Sequence, residues 1–194
     1  MRFRNALLIA SLLLYAGNLP AQSRNGEPAT SPGDTLKSTK ILVAYYSRTG
    51  VTKQVSNELA ALLGADIEEI TDTKDRKGFF GYMGAGKDAL RKKTTVIRPL
   101  QKDPSDYGLV VLATPVWAWT VTPAMRTYLM QTRGKIRKAT FLCTMGGSGD
   151  GKTFAAMEEI SGLKPAATVS FKTAEVKKGQ HAQRLRDFAD QLLK

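Results

Sequence analysis

Ile41-Leu-Val-Ala-Tyr-Tyr-Ser-Arg-Thr-Gly-Val-Thr52 joins six apolar residues to a loop of hydroxyls and one glycine, then enters a helical pattern. An uninterrupted apolar run of this length suits a strand buried on both faces of a parallel sheet. Val51, Val55, Leu59, Leu62 and Leu63 keep the 3.6-residue stripe of a helix covering one of those faces. Outward from there, Leu109 to Ala113 and Phe141 to Cys143 repeat the apolar run, whereas Asp66 to Ile70 and Ala167 to Phe171 are mixed, as edge strands are. Thr122-Pro123 supplies a helix start, with a capping hydroxyl and proline at the first helical position. Leu185, Phe188 and Leu192 carry the last helical stripe. This alternation predicts an α/β fold with a doubly wound, five-stranded parallel sheet of order 2-1-3-4-5. The long connection from Thr71 to Tyr107 offers one short helix, around Lys87 to Lys92.

The chain has 194 residues, 42% hydrophobic and 24% charged, which is globular composition for one domain and excludes a mainly disordered chain or a polytopic membrane protein. Residues 1 to 23 read as a secretory signal: Arg2 and Arg4 precede an apolar run from Ala6 to Ala16, too short to span a bilayer comfortably. Residues 24 to 38, rich in Ser, Gly, Pro, Asn and Thr, read as a flexible leader to a domain over 39 to 194. The expected location is periplasmic or secreted. The single cysteine, Cys143, excludes an intramolecular disulfide framework and a cysteine-rich zinc site.

In a sheet of this order ligands bind beyond the carboxyl ends of the strands, where the winding direction reverses. Three loops lie there. Ser47, Arg48, Thr49, Gly50, Val51 and Thr52 combine three hydroxyls, successive backbone amides and a helix N-terminus, with no carboxylate among them. Such a loop can cradle a phosphate, and it can equally be an ordinary capped helix start. Thr114, Pro115, Val116, Trp117, Ala118 and Trp119 place two indoles past the third strand, either as an aromatic wall for a planar ligand or as packing. Gly146-Gly-Ser-Gly-Asp-Gly-Lys-Thr153 matches the phosphate-binding pattern G-x-x-x-x-G-K-[ST] of nucleoside triphosphatases. That site also needs a magnesium-binding acid at a neighbouring strand end, and the strands end in Tyr46, Thr114 and Phe171.

Val43-Ala-Tyr-Tyr-Ser-Arg-Thr-Gly-Val-Thr52 resembles the N-terminal signature of the flavodoxin-like family. Tyr107-Gly-Leu-Val-Val-Leu-Ala-Thr-Pro-Val-Trp117 is similar to that family's third strand and first flavin-contacting loop. The resemblance runs over about residues 40 to 194. It implies non-covalent binding of flavin mononucleotide (FMN) and a role in electron transfer. Ser47, Thr49 and Thr52, with amides from Arg48 to Thr52, would hold the phosphate; Trp117 would lie against the isoalloxazine with Trp119 nearby. Backbone around Gly146 and Gly147 would meet the reactive edge. Ala44 and Ser56 depart from the family pattern, which has a larger apolar residue and an alanine there.

The third loop departs further, offering Thr144, Met145, Gly146, Gly147 and Ser148 where many flavodoxins place an aromatic residue. An open outer flavin face would admit a second planar molecule, so a quinone or nitro-compound reductase on the same fold is the alternative. A cofactor-free binding module is a third reading. Passage of electrons singly or in pairs separates the first two.

Several tempting residues carry no chemistry in this reading. His181, the only histidine, is expected on the surface of the last helix, and Cys143 is expected to be an inert core thiol. Ser148 lacks the G-x-S-x-G context of a hydrolase nucleophile, because Asp150 takes the last glycine position. Lys87, Arg91, Lys92, Lys93 and Arg98 lack the interleaved aromatics of a nucleic-acid platform. A solvated face, or a docking patch for an acidic redox partner or an anionic membrane surface, is expected instead.

Net charge is the last clue. Twenty-nine basic against 17 acidic residues make +12, and loss of residues 1 to 23 removes two arginines to leave +10. That sign is opposite to many flavodoxins. A positive surround stabilises an anionic reduced flavin, so a less negative second reduction potential is expected.

Overall fold

The computed structural model describes residues 40–73, 86 and 88–194. The expected signal segment and leader, and Lys87 of the expected short helix, lie outside these residues. Strand β1 (Ile41–Tyr45) leads into helix α1 (Val51–Leu63), β2 (Asp66–Glu69) and, after the long connection, β3 (Leu109–Pro115). Helix α2 (Pro123–Gln131), β4 (Ala139–Met145), α3 (Asp150–Ser161), β5 (Thr168–Lys172), α4 (Thr173–Lys177) and α5 (Ala182–Leu192) complete the chain.

All four strand pairings are parallel and the order is β2-β1-β3-β4-β5, as the alternation predicts. Successive residues of the central strands belong to opposite halves of the core. Ile41, Val43, Tyr45, Leu109, Val111 and Ala113 pack under α1 and α5. Leu42, Ala44, Val110, Leu112 and Phe141 pack under α2 and Met157 of α3. Both sheet faces are therefore dry, which is why these strands read as continuous apolar runs rather than alternating ones.

The helix ends follow their local chemistry. Thr122 caps α2, its hydroxyl accepting from the Met125 amide at 3.4 Å, with Pro123 in the first turn. Gly64 closes α1 in the left-handed conformation, φ 59°, where its missing Cβ removes the steric cost. Residues 88–90 are helical, within the stretch where a short helix is expected, and Ala89 is fully buried.

Two expectations are corrected. Leu62, counted in the stripe of α1, is 42% exposed; the helix buries Val51, Val55, Leu59 and Leu63, and the stripe passes beside Leu62. His181 is not a surface residue but only 2% exposed. It precedes α5 at the cap position rather than sitting on the helix's polar face, and turns back to the core. Its Nε2 lies 2.7 Å from Oε2 of Glu58 on α1, and its ring stands edge-on to Phe171, 5.9 Å between centroids. It ties the start of the last helix to the first.

Candidate functional site

The three loops singled out in the sequence converge at the carboxyl ends of β1, β3 and β4. In the first, Gly50 holds φ 87° at the position preceding α1, a left-handed conformation that L-residues with a Cβ rarely adopt. No side chain caps this helix and its first turn contains no acid. The leading amides are thus left for an external acceptor, at the positive end of the helix dipole. Beside them, Oγ of Ser47 is shielded from solvent and has no hydrogen-bond partner. An orphaned buried hydroxyl costs stability unless something accepts its proton. Thr49 and Gly50 are exposed, and Arg48 is half-buried.

Thr52 is placed differently from its neighbours. Its hydroxyl is buried and lies 2.8 Å from Oγ1 of Thr144 at the end of β4, one of the two donating to the other. This link binds the first loop to the third. Lys53, also in the first turn, is paired with Glu69 of β2 at 2.7 Å.

The second loop begins as sheet: Thr114 and Pro115 belong to β3, and the Val116 amide donates to the Thr144 carbonyl at 2.8 Å. Thr114 Oγ1 lies 3.1 Å from Oγ1 of Thr122, across the base of the loop. Between them Trp117 and Thr120 exchange two backbone hydrogen bonds of 3.0 Å, closing a two-residue turn. Both central residues are left-handed, Ala118 at φ 48° and Trp119 at φ 57°. Tight hairpins of this kind normally place Asn or Gly there, so the turn is strained. Trp117 is half-buried and meets Tyr46 edge-to-face, 5.6 Å between centroids at 82°. Trp119 is 59% exposed.

In the third loop Thr144 again ends a strand, while Gly146, Gly147 and Ser148 are exposed. A Cβ added at Gly146 or Gly147 would meet nothing within 4 Å, so no protein atom demands glycine there; open backbone is what remains. Gly149 is different. It holds φ 110°, and a Cβ would lie 2.9 Å from Cγ1 of Val116 and 3.2 Å from Cα of Trp119. Loops two and three pack against each other through this missing side chain.

The triphosphatase pattern over 146–153 does not make a phosphate site. Asp150 sits in the first turn of α3, where its charge opposes an anion, and accepts from the Ser170 hydroxyl at 2.8 Å. Thr153 Oγ1 donates to the Gly149 carbonyl at 2.8 Å, leaving that hydroxyl committed within its own helix. The Cys143 thiol, one residue before Thr144, is fully buried and pushed up to about 12, by burial first and then by Asp150. It is an inert thiol, as expected. Among the described residues no cluster of His, Cys, Asp or Glu is placed to hold a metal ion.

Sequence reasoning missed two parts of this arrangement. Tyr46, the end of the first apolar run, is the ring against which Trp117 rests; its place beside the loop was the available signal. Gly149 as the contact between loops had no local signal, because its neighbours Val116 and Trp119 come from a loop about 30 residues away.

The residues present fit an anionic, planar cofactor of flavin type. A solvent-shielded hydroxyl beside an uncapped helix start could donate to an anion, and the neighbouring loop offers an indole backed by a second ring. Comparison with known proteins agrees at the level of fold. The structure is similar to the flavoprotein of Lactobacillus acidophilus NCFM solved in complex with FMN, with TM-score 0.61 and 21% identity over 73% of this chain and 98% of that one. It is also similar to the apo form of that flavoprotein (TM-score 0.53, 20% identity, 73% and 97% covered). A candidate flavoprotein from Bacteroides eggerthii DSM 20697 gives TM-score 0.59 at 19% identity, with 74% and 97% covered. A comparison with curated proteins found no match. The family model described as Flavodoxin matches residues 40–170, spanning the first four strands and all three loops, and the chain belongs to the flavodoxin family.

Proposed function

We propose that this chain binds FMN non-covalently at the three loops and works in electron transfer outside the cytoplasm. The observation that carries the reading is the Ser47 hydroxyl, buried without a partner beside an uncapped, acid-free helix start. Family membership and the FMN complex of the Lactobacillus acidophilus flavoprotein support it.

Each part of the site has a defined task. Ser47 and Thr49 donate to phosphate oxygens, with the amides from Arg48 to Thr52. Thr52 contributes while its hydroxyl remains linked to Thr144, which holds the first loop against β4. Trp117, braced by Tyr46, walls the ring; Trp119 flanks it on the strained turn. Val116 and Gly149 hold the second and third loops together, so that exposed backbone at Gly146 and Gly147 meets the ring edge. When bound, the flavin supplies reversible redox chemistry, and the protein supplies binding, orientation and field.

A second reading, reduction of quinones or nitro-compounds, is favoured by one feature: Gly146, Gly147 and Ser148 present no aromatic cover and are exposed. Its acceptor would be a small planar molecule, whereas a carrier would dock an acidic redox protein. Stopped-flow oxidation of the reduced protein by a quinone distinguishes them; fast two-electron turnover selects the reductase.

Titration with FMN tests the reading. The chain's two tryptophans are both in the second loop, so quenching of their fluorescence reports on this site alone. Saturable quenching at micromolar FMN is expected, and its absence overturns the proposal. Ser47→Ala should weaken FMN binding about tenfold, the worth of a hydrogen bond to a charged group, while leaving riboflavin, which lacks the phosphate, unchanged.

A further inference from the structure

We propose that the segment from Leu90 to Arg98 is a docking surface for an anionic lipid bilayer. Leu90 and Val96 are the most exposed large hydrophobic residues described, at 63% and 71%. In the chain they bracket Arg91, Lys92 and Lys93, all exposed, with exposed Arg98 following. Over residues 87 to 98 the sequence holds five cations against one acid, Asp88.

This charge is little neutralised within the fold. Lys92 approaches Glu159 only to 3.9 Å, both exposed, where such pairs are weak; exposed Lys93 approaches the half-buried Asp88 at 3.6 Å. Arg91 and Arg98 make no ion pair among the described residues. The segment is nevertheless anchored. Ala89 is fully buried beneath it. The Thr95 amide donates to Thr127 Oγ1 at 3.0 Å, and that hydroxyl lies 2.8 Å from the Thr95 carbonyl, pinning the segment to α2. Lys92 holds φ 53°, and the Lys92 and Lys93 amides close back on Ala89 and Asp88 at 3.0 Å, fixing how the cations are presented.

Composition selects the occupant. Lysine is depleted at protein–protein interfaces while aromatic residues and arginine are enriched there; this segment sets two lysines and no aromatic beside its two arginines. Clustered Lys and Arg beside exposed aliphatic side chains are what an anionic bilayer recognises, the cations at headgroup level and the aliphatics below. No helix among the described residues is long and apolar enough to cross a membrane. The inference does not depend on the flavin reading, because binding is read without cofactor.

The experiment is flotation of the full chain with phosphatidylcholine vesicles and with vesicles carrying anionic phosphatidylglycerol. The N-terminal apolar run is common to all variants, so the quantity compared is the ratio of anionic to neutral partitioning. A ratio well above one, falling steeply with salt, is expected. Each cation near such a surface is worth about fivefold, so Arg91→Gln with Lys93→Gln should lower the ratio about 25-fold. Lys177→Gln with Lys178→Gln, the same charge change on and after α4, should lower it less than about twofold. Leu90→Gln should lower binding severalfold with the salt slope retained. Equal loss from both charge pairs, no effect of Leu90→Gln, or retention of the wild type on polyglutamate but not on anionic vesicles, would each overturn the proposal. Circular dichroism of every variant separates loss of the surface from loss of the fold.

Discussion

Ser56 shows how much one atom can cost in this core. It lies on the inner side of α1, fully buried, and its hydroxyl has no partner. Removing a buried polar atom that satisfies nothing relieves its desolvation cost. Ser56→Ala should therefore stabilise the protein by about 1 kcal/mol, read as a higher urea midpoint with unchanged slope. The same arithmetic applied to Ser47 leads elsewhere. There the orphan hydroxyl lies beside an uncapped helix start rather than in the apolar core, so its missing partner points to a ligand instead of a packing defect. Both residues were visible as serines in the sequence. The loop position of Ser47 and the helical position of Ser56 were legible too; that both hydroxyls lack a partner was not, because partners come from other elements.

At the scale of elements, the link between Thr52 of α1 and Thr144 of β4 is the test case. Two buried hydroxyls 2.8 Å apart satisfy each other, and truncating one leaves the other unpaired. Thr52→Val should cost about 1–3 kcal/mol, and the double variant Thr52→Val with Thr144→Val should cost less than the sum of the two singles. A double-mutant cycle by urea unfolding measures this, and strict additivity would remove the link from the account. The element pattern itself was legible. Apolar runs placed β1, β3 and β4 at the centre, and Thr122-Pro123 marked the start of α2. His181 was misread for an elementary reason: a residue just before a helix does not obey the helix's face, and its contacts with Glu58 and Phe171 come from other elements.

For the molecule as a whole, the response to alkali follows from what the sheet buries. The Cys143 thiol is raised from 9.0 to about 12 by burial and then Asp150. Tyr107 is raised from 10.0 to about 12 by burial, then by its hydrogen bond to Asp66. Burial also raises Tyr45 and Tyr128. A folded-state value above the unfolded one means that the native state holds its proton more tightly, so the contribution is intact below the unfolded value and lost as pH rises through the folded one. Stability should hold level to about pH 9 and fall between 9 and 12, with Cys143 alone contributing on the order of 4 kcal/mol. Urea midpoints against pH check this; Cys143→Ala should flatten the lower part of the decline. The positive charge that opens a role for acidic or anionic partners acts at the same scale, through the summed field rather than any single pair.

Periodicity and apolar run length were enough to specify the α/β class, the strand order and which end of the sheet carries the loops, because burial on two faces constrains every residue of a central strand. Residue types in the first loop marked a helix start rich in hydroxyls and amides, and left open whether it caps itself or holds an anion. Folding alone decided that Thr52 is shared with Thr144, that Gly149 lets two loops touch, that Trp117 leans on Tyr46 while Trp119 stands exposed, and how Asp150 and Thr153 are engaged in the glycine-rich stretch already read as no triphosphatase site. Those outcomes depend on neighbours brought from separate strands and helices, and local sequence carries no term for a contact whose partner lies tens of residues away.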